Sequence, residues 1–457
     1  MTGANDWSPG EAHLAAWVVS VVGRQVRDIS RVGYGASRAT FLVHADDLDM
    51  VARVDTGDGP MAGTELSLSR EAEVYRALGP TGVRIPRYFG LAPDGMTLLS
   101  ERAAGTHILD GLDDHERAVV LDDYIDALAE LHSIDPSGLD LPSYRRPTDA
   151  TSHATEELDL WEGILRTRTT SAWPLAHFAF AVLRRHAPRR VARTVLCHGD
   201  FGPGNFLHDG GRVTAMVDWE FSHIGDPMDD LGWWVFRGHD MAGRCGDLGA
   251  QLARWSSRTG LPVEPTSVEY YRAFVMLRWL VSVATTLDSG GSGLDRSVHF
   301  ALVPVLGVRL PRALATILGV DLGDPPAIPQ PSPGPSAAVI EALSTDLRDV
   351  VAPHVTDPEA LRRATGAQVY CAHLAAVDAL GPALAVAEAE DLEETWGGDG
   401  DPAKVLAERV RSGDTSAELL RYLWRHGVRQ AALWPSVAAR IDRPATPIPP
   451  PKHANPA

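Results

Sequence analysis

Lysine is almost missing from this 457-residue chain: Lys404 and Lys452 are the only two among 42 basic residues, and none occurs in the first four hundred positions. That excludes a Walker-type phosphate loop and a lysine Schiff base from this region. Cysteine is nearly as scarce, and Cys197, Cys245 and Cys371 stand too far apart for a zinc spacing or a disulfide framework. A surplus of positive charge is lacking too. The formal charge of −18 argues against a nucleic-acid partner held by phosphate contacts. The first apolar run, Leu14 to Val22, is too short to span a bilayer, so a cytoplasmic protein with no membrane partner is expected. With 44% hydrophobic and 22% charged residues the chain reads as globular, and its length predicts two or three domains.

What is present concentrates in one stretch. Val195-Leu-Cys-His-Gly-Asp-Phe-Gly-Pro-Gly-Asn205 is followed, thirteen residues after its asparagine, by the aspartate of Met216-Val-Asp-Trp-Glu220. Phosphoryl transfer from a nucleotide needs a carboxylate to orient the acceptor hydroxyl, and an Asn and an Asp to hold Mg²⁺ against the phosphates. Asp200, Asn205 and Asp218 supply these in order. Thr194–Cys197 predicts a short buried strand, with His198 and Asp200 on the loop at its end and Cys197 as a small buried hydrophobe. Asp209-Gly-Gly-Arg212 between two apolar runs predicts a β-hairpin, which would return Asn205 and Asp218 to the same place.

His198-Gly-Asp-x-x-x-x-Asn205, Val217-Asp-Trp-Glu220 and Gly225-Asp-Pro-x-x-Asp-Leu231 resemble the aminoglycoside phosphotransferase and choline kinase family over roughly residues 20–320. The resemblance implies an α+β, bilobal protein-kinase-like fold. It implies Asp200 as catalytic base, His198 as brace of the catalytic loop, Asn205 and Asp218 as metal ligands, and Asp226 and Asp230 as scaffold. Upstream, Gly33 and Gly35 of the segment Arg31–Val43 would let backbone amides approach phosphate, with Ser37 nearby. Arg53 stands where the family's usual lysine would be, with Glu71 as its partner on the following helix. Arginine is permanently charged and carries two-pronged donors, so it can serve phosphate or carboxylate there. Glu73, two residues on, points elsewhere and reads as a solvated face. Leu98-Leu-Ser-Glu-Arg102 resembles the hinge, where Glu101 would hold the lobes in register. Glu220 and Arg278 are candidate substrate contacts, Arg278 because Tyr270–Arg278 resembles a helix of the subgroup related to the kinase-like half of acyl-CoA dehydrogenase fusion proteins, with a surface cation or a structural ion-pair partner as its alternatives.

The expected organisation is a nucleotide-covering lobe over 1–101 with one long helix after Gly63, and a mostly helical catalytic lobe over 102–322. A proline-rich linker over 323–335, an all-helical domain over 336–443 and a disordered tail over 444–457 follow. Val339, Leu343, Leu347 and Val350 form one apolar stripe, and helices are expected over 357–392, 401–412 and 415–430. The expected activity is a Mg²⁺-dependent kinase using ATP or GTP. Its small-molecule hydroxyl acceptor would be a hydroxyacyl-CoA or related hydroxy acid, with an aminoglycoside, amino alcohol or sugar as the alternative. A non-catalytic nucleotide-binding module is the reading from another class. A protein kinase is disfavoured because no activation segment fits between Asp218 and Asp230.

Overall fold

The structure, a computed structural model, describes residues 8–34, 38–57, 59–243, 245–289, 296–397 and 401–450. It divides into two compact units: residues 1–156, 189–268 and 447–457 in one, 157–188 and 269–446 in the other. The division falls elsewhere than at the proline-rich run, because helices on both sides of that run belong to the second unit.

The first unit begins with α1 (Pro9–Val22), earlier than the one helix expected in this region. Ser8-Pro-Gly-Glu11 forms a capping box at its start, and Gly23 closes it in the left-handed conformation. Leu14, Ala15 and Val18 of α1 bury against Val26, Ile29, Val43, Met50, Ala52 and Leu99 of a five-stranded sheet. That sheet contains β1 (Val26–Tyr34), β2 (Ala39–Ala45) and β3 (Leu48–Val54). After α2 (Leu68–Leu78) come β4 (Tyr88–Leu91) and β5 (Thr97–Glu101). The spatial order is β1-β2-β3-β5-β4, every neighbouring pair antiparallel.

Then follow α3 (Asp114–His132), α4 (Ser152–Arg168) and α5 (Pro174–Arg185). β6 (Val195–Cys197), β7 (Phe206–Asp209), β8 (Arg212–Met216) and β9 (His223–Gly225) come next in the chain. β7 and β8 form the expected hairpin, turning through Gly210 and Gly211 at φ +53° and +83°. A two-residue turn that matches strand twist needs such positive angles, which glycine adopts without strain. β6 is buried as expected and pairs with β9, a partner that its own sequence does not announce. α6 (Met228–Trp234) runs into a π-helical segment, Val235–Ala242, and α7 (Leu248–Thr259) packs on α3.

The second unit takes up α5 with most of α8 (Pro265–Asp288) and α9 (Ser297–Leu318). α10 (Ala337–Thr345), α11 (Pro358–Trp396), α12 (Pro402–Arg411), α13 (Ala417–Ala432) and the short α14 (Ala438–Asp442) complete it. The three long C-terminal helices lie within a few residues of their expected spans. Between α9 and α10 the chain is extended, and Ser336 donates its amide to Asp378 on α11. The α10 stripe is exposed: Val339 is 73% accessible and α10 has no buried residue. Among the described residues, two helices are long and apolar enough to cross a membrane, Ser297–Leu318 and Ala360–Trp396; the first is 56% buried in its apolar window and the second 17%. An expectation drawn from Leu14–Val22 alone did not weigh either.

Candidate active site

The Gly-rich loop between β6 and β7 is held from several directions. Asp230 accepts the amides of His198 (2.7 Å) and Gly199 (2.9 Å), and its carboxylate also meets His132 Nε2 at 2.9 Å. Trp255 donates its indole N–H to the other nitrogen of His132, so this histidine carries its proton toward Asp230. The scaffold role expected of Asp230 matches these bonds, and His132 extends them. From α3, Tyr124 stacks on Phe201 with ring centres 4.0 Å apart, its hydroxyl against the backbone of Gly202. Asp226 is buried, accepts the Met228 amide, and is pushed up to about 7 by that burial.

His198 is fully buried, which pushes its pKa down. The neutral ring can accept the Asp200 amide at Nδ1 (3.3 Å) and donate to the Val217 carbonyl from Nε2 (3.0 Å). One side chain thus ties the loop to the strand leading to Asp218. The Val217 amide also donates to the Asn205 carbonyl, closing the open end of the hairpin.

Asp200 and Asn205 meet directly. The Asn205 amide nitrogen donates to Asp200 Oδ2 (2.6 Å) and to the Asp200 carbonyl (2.9 Å). Both donations use Nδ2, so Oδ1 of Asn205 faces the other way. The other carboxylate oxygen of Asp200 lies 2.7 Å from Nη1 of Arg237, a residue that the sequence did not single out. No spacing rule points to it, because it arrives from the π-helical segment 37 residues downstream. Burial pushes Asp200 up to about 6, helped by Asp218 and opposed by Arg237 and Asn205.

Asp218 takes positive φ (+68°), rare outside glycine and tolerated best by Asp and Asn. Its Oδ1 lies 2.8 Å from Nη2 of Arg53 on β3, whose Nη1 is 2.5 Å from Glu71 on α2. The arginine in place of lysine therefore bridges two carboxylates. Arg38, at the start of β2, was also missed: it pairs with Glu71 at 2.6 Å, donates to the Leu66 carbonyl at 2.8 Å and lies 3.4 Å from Glu220. Burial raises the pKa of Asp218, but Arg53 and Arg38 outweigh it and hold the carboxyl below its ordinary value. Glu220 stands farther from both guanidinium groups, 3.4 Å from Arg38 and 3.9 Å from Arg53. Burial and then the neighbouring Asp218 push it up to about 7.

Other candidates separate from this cluster. Glu73 is buried rather than solvated, accepting the amide and hydroxyl of Ser143 at 3.0 and 2.6 Å, which corrects its reading as a free face. Glu101 accepts the Arg87 amide at 3.2 Å, a bond within the sheet. Gly33 lies in β1, and Gly35 and Ser37 fall outside the described residues. Arg278 is 1% exposed in the second unit, over the Phe274 ring at 4.0 Å and 3.7 Å from Glu157. A buried guanidinium needs a counter-charge, and Glu157 gives Arg278 the structural ion pair that its sequence left open beside a substrate contact.

A model of the phosphotransferase enzyme family matches residues 28–266, more than half of the chain. The chain belongs to that family. It is similar to acyl-CoA dehydrogenase family member 10 of Mus musculus, 26% identical over 217 residues, 45% of this chain and 20% of the relative. It is similar also to the probable acyl-CoA dehydrogenase IBR3 of Arabidopsis thaliana, 26% identical over 227 residues, 45% of this chain and 27% of the relative. The chain thus spans less than a third of the length of these curated relatives. Among solved structures it shares its fold with a putative aminoglycoside phosphotransferase from Ralstonia eutropha (TM-score 0.51, 23% identity, 68% of this chain and 97% of that one). The choline kinase LicA from Streptococcus pneumoniae in complex with AMP gives a TM-score of 0.50 at 20% identity, covering 68% of this chain and 100% of that one. The α+β kinase-like fold expected from the motifs is the fold observed, with a helical C-terminal region added.

Proposed function

We propose that this phosphotransferase moves the γ-phosphoryl group of ATP or GTP to the hydroxyl of a small molecule, with Asp200 as the base. One observation carries the reading: Asp200 and Asn205 share a hydrogen bond on a loop whose brace, His198, also holds the strand end bearing Asp218. In the reaction the acceptor oxygen bonds to the γ-phosphorus as the bond to the bridging oxygen breaks. The hydroxyl proton passes to the Asp200 carboxylate, and the nucleoside diphosphate leaves. Arg53 turns a guanidinium prong toward the phosphates, as its Nη2 now does toward Asp218, while Glu71 keeps the other prong.

The residues fit a magnesium site. Asn205 has its amide oxygen free of the Nδ2 bonds, and Asp218 is held ionised, so the pair offers the hard oxygen donors that Mg²⁺ takes. Bound by Asn205 and Asp218, the ion would supply positive charge against the phosphate oxygens. The acceptor we favour is a hydroxyacyl thioester or related hydroxy acid, which the acyl-CoA dehydrogenase names of the curated relatives support. Aminoglycosides, amino alcohols and sugars are the alternatives. Cys197, Cys245 and Cys371 are buried and not joined in disulfides, which fits a cytoplasmic location. The test is phosphate transfer from MgATP and MgGTP to a panel of hydroxyacyl-CoA esters, amino alcohols, sugars and aminoglycosides, by the full chain and by Asp200→Asn. Equal turnover in both proteins removes the base assignment, and activity confined to aminoglycosides removes the acceptor assignment.

A further inference from the structure

The loop from His198 to Asn205 contains three glycines and no cation of its own. Gly199 and Gly204 sit at φ +81° and +97°, and glycine loses more backbone freedom on ordering than any other residue. Within the loop Asn205 donates to the Asp200 carbonyl, and further hold comes from outside it. Arg237 reaches in with Nη1 2.9 Å from the Asp200 carbonyl and 2.7 Å from the Asp200 carboxylate, and Nη2 2.8 Å from the Pro203 carbonyl. Gly202 makes room for it: a Cβ there would lie 2.7 Å from Cβ of Arg237 and 2.9 Å from its Cδ. The π-helical segment that places Arg237 is a departure from regular helix of the kind often found at functional sites.

We infer that Arg237 is a positioning residue of the phosphotransfer loop, its planar guanidinium clamping the two ends of the turn 200–203 while aiming the Asp200 carboxylate. Asn205 donates a hydrogen bond to one carboxylate oxygen from within the loop; Arg237 gives its hydrogen bonds to the two carbonyls and sets its charge 2.7 Å from the other carboxylate oxygen. A lysine in its place keeps the charge but cannot span two carbonyls and a carboxylate at once. The inference rests on Asp200 as base, and its test is built to fail separately from that reading.

Full-length Arg237→Gln, Arg237→Lys, Gly202→Ala and Asp200→Asn proteins are compared for phosphate release from MgATP, for affinity toward a fluorescent ATP analogue and for amide hydrogen exchange over residues 199–205. Arg237→Gln is expected to lower turnover roughly a hundredfold and Arg237→Lys about tenfold, as a misplaced base does, with nucleotide affinity within about twofold. Exchange in the loop should quicken in both while the rest of the unit keeps its protection. Gly202→Ala leaves every polar group in place and should reproduce the loss by displacing the guanidinium. Unchanged loop exchange in the Arg237 variants, or full turnover in Arg237→Lys, overturns the clamp. Should Asp200→Asn release phosphate as fast as the native chain, the base reading falls while the exchange result still decides the clamp.

Discussion

Two carboxylates of one site, Asp200 with its side chain 13% exposed and Asp218 with 35%, respond in opposite directions. Asp200 rises to about 6 with one guanidinium beside it, whereas Asp218 falls below the ordinary carboxylate value beside Arg53, with Arg38 close by. Burial penalises the charge in both; the number and placement of arginines decides which carboxylate stays firmly ionised. The difference matches a division of labour in which one group exchanges a proton near neutrality and the other remains an anion toward a cation. A chain almost without lysine builds that contrast from arginine, which cannot itself give up its proton.

The strongest way to break the contrast is to remove the charge that moves. Asp200→Asn should cut phosphotransfer by roughly 10² to 10⁴, the range of positioned proton transfer, with nucleotide affinity preserved in a fluorescence titration. Glu71→Ala attacks the other side by leaving Arg38 and Arg53 short of a buried partner. A loss of roughly 3–5 kcal/mol in urea unfolding is expected, as for one-sided rupture of a buried ion pair. The pH profile sharpens the comparison at smaller cost. Turnover should fall about tenfold per unit below a midpoint near 6, as Asp200 takes up its proton.

The linked stabilities run in opposite senses. Asp200 has a folded pKa above its unfolded value of 3.8, so its contribution favours the folded state at low pH and is lost as pH rises from about 4 to about 6. Asp218 has a depressed folded pKa, so its contribution is present above the ordinary carboxylate range and is lost as pH falls through the lowered value. Urea midpoints of Asp200→Asn and Asp218→Asn across pH 3 to 7 should therefore diverge from the native chain in opposite directions. The smallest effect is remote from both carboxylates. Gly211→Val places a branched residue at φ +83° and should cost about 1 kcal/mol or slightly more in stability while turnover stays near native.

Much of the site could be read from the chain because its parts are local. The loop His198–Asn205, the hairpin turn at Asp209–Arg212 and Asp218 lie within 21 residues, and a two-residue turn dictates that its arms return together. Helix geometry separates Glu71 from Glu73, the resemblance of Arg70-Glu71 before an apolar-periodic run to the family favours Glu71, and it is Glu71 that meets Arg53. Glu73 was misjudged because its partner, Ser143, lies 70 residues away on a segment with no pattern pointing back. Arg38 and Arg237 went unseen for the same reason. Arginine is the chain's default cation, so composition gives no way to tell a clamp from a surface charge. The helices after residue 336 were visible in their periodicity, but which helices share a unit was not, since that depends on faces meeting across long sequence separations.

By itself, then, the amino-acid order determined the hairpin and the order of the three oxygen-bearing groups, since short-range turn and strand preferences carry that information, and its motifs carried the family resemblance that implied the kinase-like architecture. Tertiary structure decided which arginine faces which carboxylate. Packing brings charges from β2, β3, α2 and the segment after α6 into one desolvated space, and only there does each pairing shift a proton equilibrium.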